Sequence, residues 1–400
     1  MKDSRTLELI ATEERTESAN FGLDVPLCVD LDGTFLRADS FQELILLLAK
    51  AAPLALVYLP LWLMRGKAYM KQQIAGLVSL DVTTLPLNYE FCDFLQAESR
   101  RGRRLILVTA ADSALANAIA AHHQIFDEVL ASNGVVNLAG DSKAMALVDR
   151  FGYGKFDYAG NDHADIAVWR SARRAIVVNA SAAVLEEAQR VADIEQTFPP
   201  TGRRIQSVLR VLRVNQWVKN CLLFIPLIGA NAWADWSKVL SVLLSFVAFC
   251  LCASGVHVLN DLLDLETDRN HTRKRFQPFA RGRLPVTWGM LGAPILLLAG
   301  AFIACLLPWQ FGAVLGVYCL TTVLYSSRLR KVAALDVFVL ASLYTTRVVA
   351  GCYAANVVVS NLLIGFSMFL FLALALVKRF SELRRVRRKN ALLGGWLEVS

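Results

Sequence analysis

Two groups of acidic residues in this chain have the spacing of reactive or metal-binding sites. The first is Asp30-Leu-Asp32-Gly33-Thr34, which follows a short apolar run. A carboxylate at the end of a strand can attack phosphorus, and a second one two residues later points the same way and can protonate the leaving oxygen. Gly33 permits the tight turn between them. The motif predicts hydrolysis of a phosphate ester, and the simpler alternative is an ordinary Asp-Gly turn.

The second acidic group follows a long apolar segment, residues 239–259. Asn260, Asp264 and Asp268 are spaced four apart, so on one helix they share a face. Oxygen ligands of this kind suit Mg²⁺, which keeps several waters and binds substrate phosphates. The basic run 269–281 comes next, and a metal beside basic side chains can stabilise a pyrophosphate leaving group. The alternatives are a solvated charged loop and a basic loop that contacts only lipid headgroups.

Composition limits the kinds of protein that this chain can be. Its 400 residues allow two domains, and 55% hydrophobic residues are too many for one soluble domain of this size. The eight cysteines include no C-x-x-C pair and mostly lie in apolar runs, so we expect reduced thiols. The polar, acid-containing first 20 residues do not resemble a signal peptide. We assign the net charge of +8 to membrane loops and expect no nucleic-acid partner.

The second half of the chain reads as a multi-pass membrane domain. Loops after the second, fourth and sixth apolar segments carry nearly all the Arg and Lys, whereas the opposite loops carry only Lys238. This bias places the N-terminal domain and the basic loops in the cytoplasm, at the inner membrane. The first and fourth segments are short for a ~20-residue span. The segments are residues 221–233, 239–259, 286–307, 311–325, 337–358 and 362–377.

The first half predicts an α/β domain. Its predicted strands alternate with helices, which indicates a parallel, doubly wound sheet with the acidic residues at the carboxyl ends of strands. An inserted helical cap is expected at about residues 41–98. We divide the chain into a polar tail 1–22, this domain 23–196, a linker 197–208 and the membrane domain 209–400. The predicted strands are residues 25–30, 105–109, 128–131, 156–160 and 175–179.

The first half resembles the haloacid-dehalogenase phosphatase superfamily. After the Asp30 motif come Thr109 at the end of a strand, Lys143 at the start of helix 141–151, and Gly-Asn161-Asp-His-Ala-Asp165, which is similar to G-D-x-x-x-D. The resemblance implies that Asp30 is the nucleophile, Asp32 the acid, and Thr109 and Lys143 (or Lys155) the phosphoryl-binding groups. It further implies Mg²⁺ held by Asp30, Asp32, Asn161 and Asp165, with Asp162 as an alternative to Asn161, which stands where an aspartate is usual.

The second half resembles the UbiA superfamily of intramembrane prenyltransferases, in the branch of decaprenyl-phosphate phosphoribosyltransferase. The motifs are N-x-x-x-D-x-x-x-D at Asn260, R-V-N-Q-W-V-K-N at residues 213–220, H-x-x-K at residues 271–274, and Y-S-x-x-L-x-K at residues 325–331. The resemblance implies Mg²⁺ on Asn260, Asp264 and Asp268. Its substrates would be a polyprenyl phosphate or diphosphate and either phosphoribosyl pyrophosphate or an aromatic acceptor. The implied substrate-binding residues are Gln216, Lys219, Asp261, Arg269, Lys274, Tyr325, Lys331, Lys378 and Glu382.

These patterns leave three hypotheses open. The first is a two-step enzyme in which phosphoribose is transferred to a polyprenyl phosphate and the attached phosphatase removes the 5-phosphate. The second is prenyl transfer to an aromatic acceptor of the 4-hydroxybenzoate type. Because the superfamily commonly has about nine spans and about six are predicted here, we expect a truncated chain or one that completes its bundle as a homo-oligomer. The third hypothesis is accordingly an inactive, membrane-anchored phosphatase-like module.

Overall fold

The computed structural model describes residues 24–200, 202, 204–327 and 333–394. The chain forms two compact units. The first comprises Met1–Ser207 together with Leu263–Thr287, and the second comprises Val208–Leu262 together with Trp288–Ser400. The segment Leu263–Thr287, which the sequence places in a membrane-domain loop, thus belongs to the unit that contains the α/β fold.

The first unit contains a six-stranded sheet in the order β3-β2-β1-β4-β5-β6, with all neighbours parallel. The order reverses between β1 and β4, which is where doubly wound sheets place their sites. The predicted α/β fold is confirmed. The strands are β1 Leu27–Val29, β2 Leu105–Asp112, β3 Glu128–Ser132, β4 Asp157–Gly160, β5 Ala175–Val178 and β6 Ile194–Phe198.

Strand β6 was not predicted, and the proposed linker wrongly includes its last two residues, Thr197 and Phe198. The strand lies at the edge of the sheet, and its three central side chains are exposed. A polar edge strand lacks the apolar pattern by which the buried strands were recognised.

The helices of the first unit pack around the sheet and form the cap. Polar side chains cap several of them: Asp39 accepts a hydrogen bond from Gln42 N, and Asp112 accepts one from Ala114 N. Leu27, Val29 and Leu107 are fully buried at the centre of the sheet. The helices are α1 Ser40–Ala51, α2 Leu59–Met64, α3 Lys67–Leu77, α4 Tyr89–Arg100, α5 Ser113–His123, α6 Asp141–Phe151, α7 Ile166–Trp169 and α8 Ala182–Val191, with 3₁₀ turns at Pro53–Tyr58, Val82–Thr84 and His163–Asp165.

The second unit is helical. Helix α9 Arg204–Val211 leads into it, and α12 Leu265–Asn270 lies in the segment assigned to the first unit. The first predicted apolar segment is a 3₁₀ helix, Val214–Phe224, followed by a five-residue helix, so it is not one spanning helix. The other helices are α10 Ile225–Gly229, α11 Trp236–Leu263, α13 Val286–Cys305, α14 Trp309–Ser327, α15 Ala333–Ala354 and α16 Asn361–Gly394.

Four helices within the described ranges are long and apolar enough to cross a membrane: Trp236–Leu263, Val286–Cys305, Leu335–Ala354 and Asn361–Ser381. Trp309–Tyr325 is apolar but shorter. Of the six expected spans, four thus correspond to candidate spanning helices among the described residues, whereas the first segment is broken and the fourth is short. Helix α16 also continues through the basic residues after position 377, where the sequence predicted a loop.

Candidate functional site

The carboxyl edge of the sheet brings Asp30, Lys143 and Asp165 together. Asp30 follows β1, and Lys143 lies in the first turn of α6. The Lys143 ammonium donates a hydrogen bond to Asp30 Oδ1 at 2.6 Å and lies 3.6 Å from Asp165 Oδ1. All three side chains are buried. Lys155, the alternative lysine, is exposed. The structure therefore places Lys143 where it can neutralise charge on Asp30 or on a phosphoryl group bound there.

Tyr158 completes this cluster and was missed by the sequence analysis. Its hydroxyl donates to Asp165 Oδ1 at 2.7 Å and lies 2.9 Å from Lys143 Nζ. Asp165 Oδ2 accepts hydrogen bonds from the backbone N–H groups of Asn161 and Asp162. Both oxygens of Asp165 are thus engaged in holding the β4 turn and Lys143. Tyr158 lies within a buried strand and has no motif of its own, so only the folded structure reveals it.

The two carboxylates of the D-x-D motif have different surroundings. Burial raises the pKa of Asp30 to about 6, although the charge of Lys143 opposes the rise. Burial and the charge of Asp39 raise the pKa of Asp32 to about 7, although hydrogen bonds from Ser40 oppose the rise. Ser40 binds Asp32 through its backbone N at 2.8 Å and its hydroxyl at 3.0 Å. Asp32 therefore can carry a proton near neutral pH, as a general acid requires.

Two of the four expected metal ligands, Asp30 and Asn161, direct oxygens to one region of this site. Both oxygens of the other two, Asp32 and Asp165, accept hydrogen bonds from protein groups. The Thr34 hydroxyl lies 3.5 Å from Asp30 Oδ2 and 3.2 Å from Asn161 Oδ1, so both oxygens face the same small region. Within the described part of the chain, no group of three His, Cys, Asp or Glu side chains is arranged to hold a metal. One carboxylate and one amide oxygen fit Mg²⁺ that keeps waters and binds a substrate phosphate.

A cavity of about 620 Å³ opens over these residues. Its wall includes Thr109, whose hydroxyl oxygen accepts a hydrogen bond from Ala111 N at 3.0 Å. The wall also includes Arg37 and Arg283, which no motif indicated. The cavity has the volume of a small-molecule site.

The second acidic run is divided between two helices. Helix α11 ends at Leu263 and α12 begins at Leu265, so the single helix predicted for residues 260–268 is interrupted at Asp264. Asp264 is partly exposed and makes no capping hydrogen bond. Asp268 is buried and pairs with Lys274 at 2.5 Å. An expected metal ligand and an expected phosphate-binding lysine are therefore paired with each other here.

Arg269, another expected substrate-binding residue, is in a buried ion pair. Both of its terminal nitrogens bind Glu43, at 2.8 and 2.5 Å, and its Nε donates to Ala280 O. Arg269 and Glu43 are 6% and 2% exposed at the side chain. In this structure Arg269 connects α12 to α1, both within the first unit.

The second unit places several predicted residues in ion pairs or ring contacts. Asp261 pairs with Arg213 at 2.6 Å, and Lys219 Nζ lies 5.9 Å from the ring centre of Tyr344. The Tyr325 hydroxyl donates to Asp336. Gln216 is partly exposed in the 3₁₀ helix, Lys378 is exposed on α16, and Asn260 lies near the end of α11. Lys331 and the side chain of Glu382 lie outside the described residues.

Arg347 is a buried charge in a membrane helix that the sequence analysis overlooked. Its guanidinium donates to Asn220 Oδ1, Tyr318 OH and Leu343 O at 2.6–2.8 Å. Its carbon Cζ lies 4.7 Å from the ring centre of Tyr318. The sequence signal for this site was a single arginine within an apolar run. An ionisable residue inside a membrane span needs polar partners, so its position indicates a buried polar contact.

The parallel sheet, the Asp30–Lys143 site and the apolar helices define a membrane protein that carries an α/β domain with a buried aspartate–lysine site. The UbiA prenyltransferase family matches residues 221–391, and the chain belongs to this family.

Similar proteins cover one or both halves of the chain. The uncharacterised protein y4nM of Sinorhizobium fredii is 35% identical over 396 residues, or 96% of this chain and 76% of that protein. Decaprenyl-phosphate phosphoribosyltransferase of Mycolicibacterium smegmatis is 33% identical over 210 residues, or 52% of this chain and 66% of that enzyme. The apo structure of a phosphoserine phosphatase aligns with a TM-score of 0.33 and 12% identity, covering 47% of this chain and 98% of that one.

Proposed function

We propose that this chain catalyses two successive steps on one lipid at the inner membrane. The membrane domain transfers 5-phosphoribose from phosphoribosyl pyrophosphate to a polyprenyl phosphate and releases pyrophosphate. The α/β domain, in the cytoplasm, then removes the 5-phosphate. The 33% identity to decaprenyl-phosphate phosphoribosyltransferase supports the first step. The buried Asp30–Lys143 pair, which lines a cavity, supports the second step.

The residues of the cavity support a two-stage phosphatase reaction. A carboxylate oxygen of Asp30 attacks phosphorus, and the bond to the leaving sugar oxygen breaks while Asp32 donates its proton to that oxygen. Asp32 then takes a proton from the water that hydrolyses the aspartyl phosphate. Lys143 and Thr109 stabilise the phosphoryl oxygens, and Tyr158 holds the lysine in place. Mg²⁺, held by Asp30 and Asn161, would supply further positive charge to the phosphate.

In the membrane domain, the run that contains Asn260, Asp264 and Asp268 would hold Mg²⁺ on the pyrophosphate. Lys274 and Lys331 would bind phosphate oxygens. Because Asp268 is paired with Lys274, substrate binding would exchange this internal ion pair for contacts to metal and phosphate. Such an exchange keeps both charges compensated.

The phosphatase step is tested by phosphate release from ribose 5-phosphate, using the full chain in detergent with Mg²⁺. Asp30→Asn should abolish turnover, because an amide is a poor nucleophile. Asp149→Asn, on the exposed side of α6, is the matched control and should retain activity. Full turnover by the Asp30 variant would remove this residue from the reaction.

The transferase step is tested in membranes supplied with polyprenyl phosphate and labelled phosphoribosyl pyrophosphate. Asp264→Ala should lower the transfer rate on the order of 10²–10³-fold, because it removes a proposed metal ligand. The charge that develops on the leaving pyrophosphate would then be less well stabilised. Glu266→Ala, an exposed acid in the same run, should leave it intact. Prenylation of 4-hydroxybenzoate without phosphoribose transfer would instead support the quinone-type alternative.

A further inference from the structure

The phosphatase cavity has a wall built by the segment Leu263–Thr287. Arg283 and Pro285 of this segment line the cavity together with Arg37 from the α/β fold. The backbone turns sharply at Gly282, with φ +66°, and a Cβ there would lie 2.7 Å from Arg37 Cβ. Only glycine tolerates both this conformation and this approach. The turn therefore brings Arg283 beside Arg37 at the cavity.

Positive charge is concentrated on this wall. Burial lowers the pKa of Arg37, and so do the neighbouring charges of Arg281 and Arg283, although Glu90 and Tyr89 oppose the shift. Arg37 makes no ion pair with any residue in the described ranges, and its side chain contacts the neutral amide of Asn88 at 3.4 Å. The Asp39 carboxylate in the same cavity is hydrogen-bonded to Gln42 at both oxygens. Two arginines that line one wall of a cavity favour a bound anion there.

The charges that act on Arg37 are those of Arg281, Arg283 and Glu90, whereas the charges that act on Asp30 are those of Lys143 and Asp165. The arginines thus belong to a different part of the cavity wall from the Asp30–Lys143 pair. Lys143 and Thr109 can bind the phosphoryl group at Asp30, whereas Arg37 and Arg283 belong to other segments that line the same space. The guanidinium fork matches the oxygens of a phosphate or carboxylate in a bidentate manner. A volume of about 620 Å³ accommodates a sugar with a phosphate at each end.

We propose that Arg37 and Arg283 form a second anion subsite, which selects phosphomonoesters whose sugar also carries a phosphodiester. This inference rests on the phosphatase activity proposed above. The product of the proposed transfer has both groups, a 5-phosphate to be removed and a phosphodiester to the lipid. The subsite thus gives the segment Leu263–Thr287 a role in the selection of the phosphatase substrate.

The test compares two water-soluble substrates with the full chain in detergent. One is ribose 5-phosphate, and the other is the same sugar with a butyl phosphodiester at C1. Phosphate release should show a higher kcat/KM for the diester-bearing substrate. Arg283→Ala and Arg37→Ala should each lower this preference about ten- to hundredfold, the usual effect of removing a hydrogen bond to a charged group. Arg283→Lys should retain part of it.

Arg273→Ala is the matched control, because Arg273 is exposed on the same segment and does not line the cavity. It should keep both the activity and the preference. Equal kcat/KM for the two substrates in the unsubstituted protein, or equal losses on both in the arginine variants, would overturn the subsite. A preference for O-phosphoserine over the diester would also overturn it, by assigning the arginines to a carboxylate. If neither sugar phosphate is hydrolysed, the phosphatase function itself is wrong.

Discussion

Asp30 and Asp32 are two residues apart, yet their environments divide the chemistry between them. The ammonium of Lys143 stabilises the charged form of Asp30, as a nucleophile requires. Asp32 accepts hydrogen bonds from Ser40 and faces the charge of Asp39, so its proton is held more tightly. Pairs of carboxylates whose pKa values are driven apart by their surroundings commonly act as nucleophile and acid.

The raised pKa of Asp32 predicts a stability that depends on pH. The unfolded carboxyl titrates near 3.8 and the folded one near 7, so the folded state binds the extra proton in between. The contribution of protonated Asp32 to the free energy of unfolding is fully present below pH 3.8. It is lost as the pH rises through about 7. In EDTA, Asp32→Asn should therefore raise Tm more at pH 8 than at pH 5. The control Asp149→Asn should shift Tm equally at both pH values, and equal shifts for Asp32→Asn would contradict the prediction.

At the scale of elements, helix α1 connects the catalytic motif to the segment Leu263–Thr287. Its first residue, Ser40, holds Asp32, and Gln42 Oε1 accepts a hydrogen bond from Thr287 N at 3.2 Å. Glu43 binds Arg269, and Lys50 Nζ donates to Leu263 O at 3.1 Å. The same helix thus holds both Asp32, the proposed general acid, and the segment that carries Arg283.

Breaking the Glu43–Arg269 pair should loosen that segment. Glu43→Ala leaves the buried guanidinium without its counter-charge, which typically costs about 3–5 kcal/mol. The full chain in detergent should then be cleaved faster by trypsin within residues 263–287. Glu186→Ala removes an exposed ion pair with Arg190, which is worth little, and should not change the rate. Unchanged cleavage in the Glu43 variant would show that this pair does not hold the segment.

At the scale of the whole molecule, the distribution of basic residues along the apolar helices predicts the topology. Helix α16 has 34 residues, about 51 Å at 1.5 Å per residue, whereas about 20 residues cross a bilayer. The basic C-terminal part of this helix therefore extends beyond the apolar span. By the positive-inside bias it should lie in the cytoplasm.

Cysteine labelling in sealed cells checks this topology. In a variant without native cysteines, Ser237→Cys should react with an impermeant maleimide from outside, and Ser381→Cys should react only after permeabilisation. Both positions are exposed, so accessibility to the reagent is set by the membrane rather than by packing. Labelling of Ser381→Cys in intact cells would reverse the assigned orientation.

Features that depend on local patterns could be predicted from the amino-acid sequence. The apolar strand before Asp30 and the helix that begins beside Lys143 are readable because side-chain periodicity reflects secondary structure directly. Long apolar runs likewise indicated the membrane helices, although length alone did not show that residues 221–233 form a 3₁₀ helix and a short α-helix.

Contacts between side chains far apart in sequence became known from the folded structure. It placed Lys143 rather than Lys155 beside Asp30, added Tyr158 to the site, and paired Arg269 with Glu43, 226 residues away in sequence. It also divided the acidic run at Asp264 and brought Arg283 to the cavity that contains Asp30. These features follow from burial and charge compensation between segments far apart in the chain, and no local spacing encodes them.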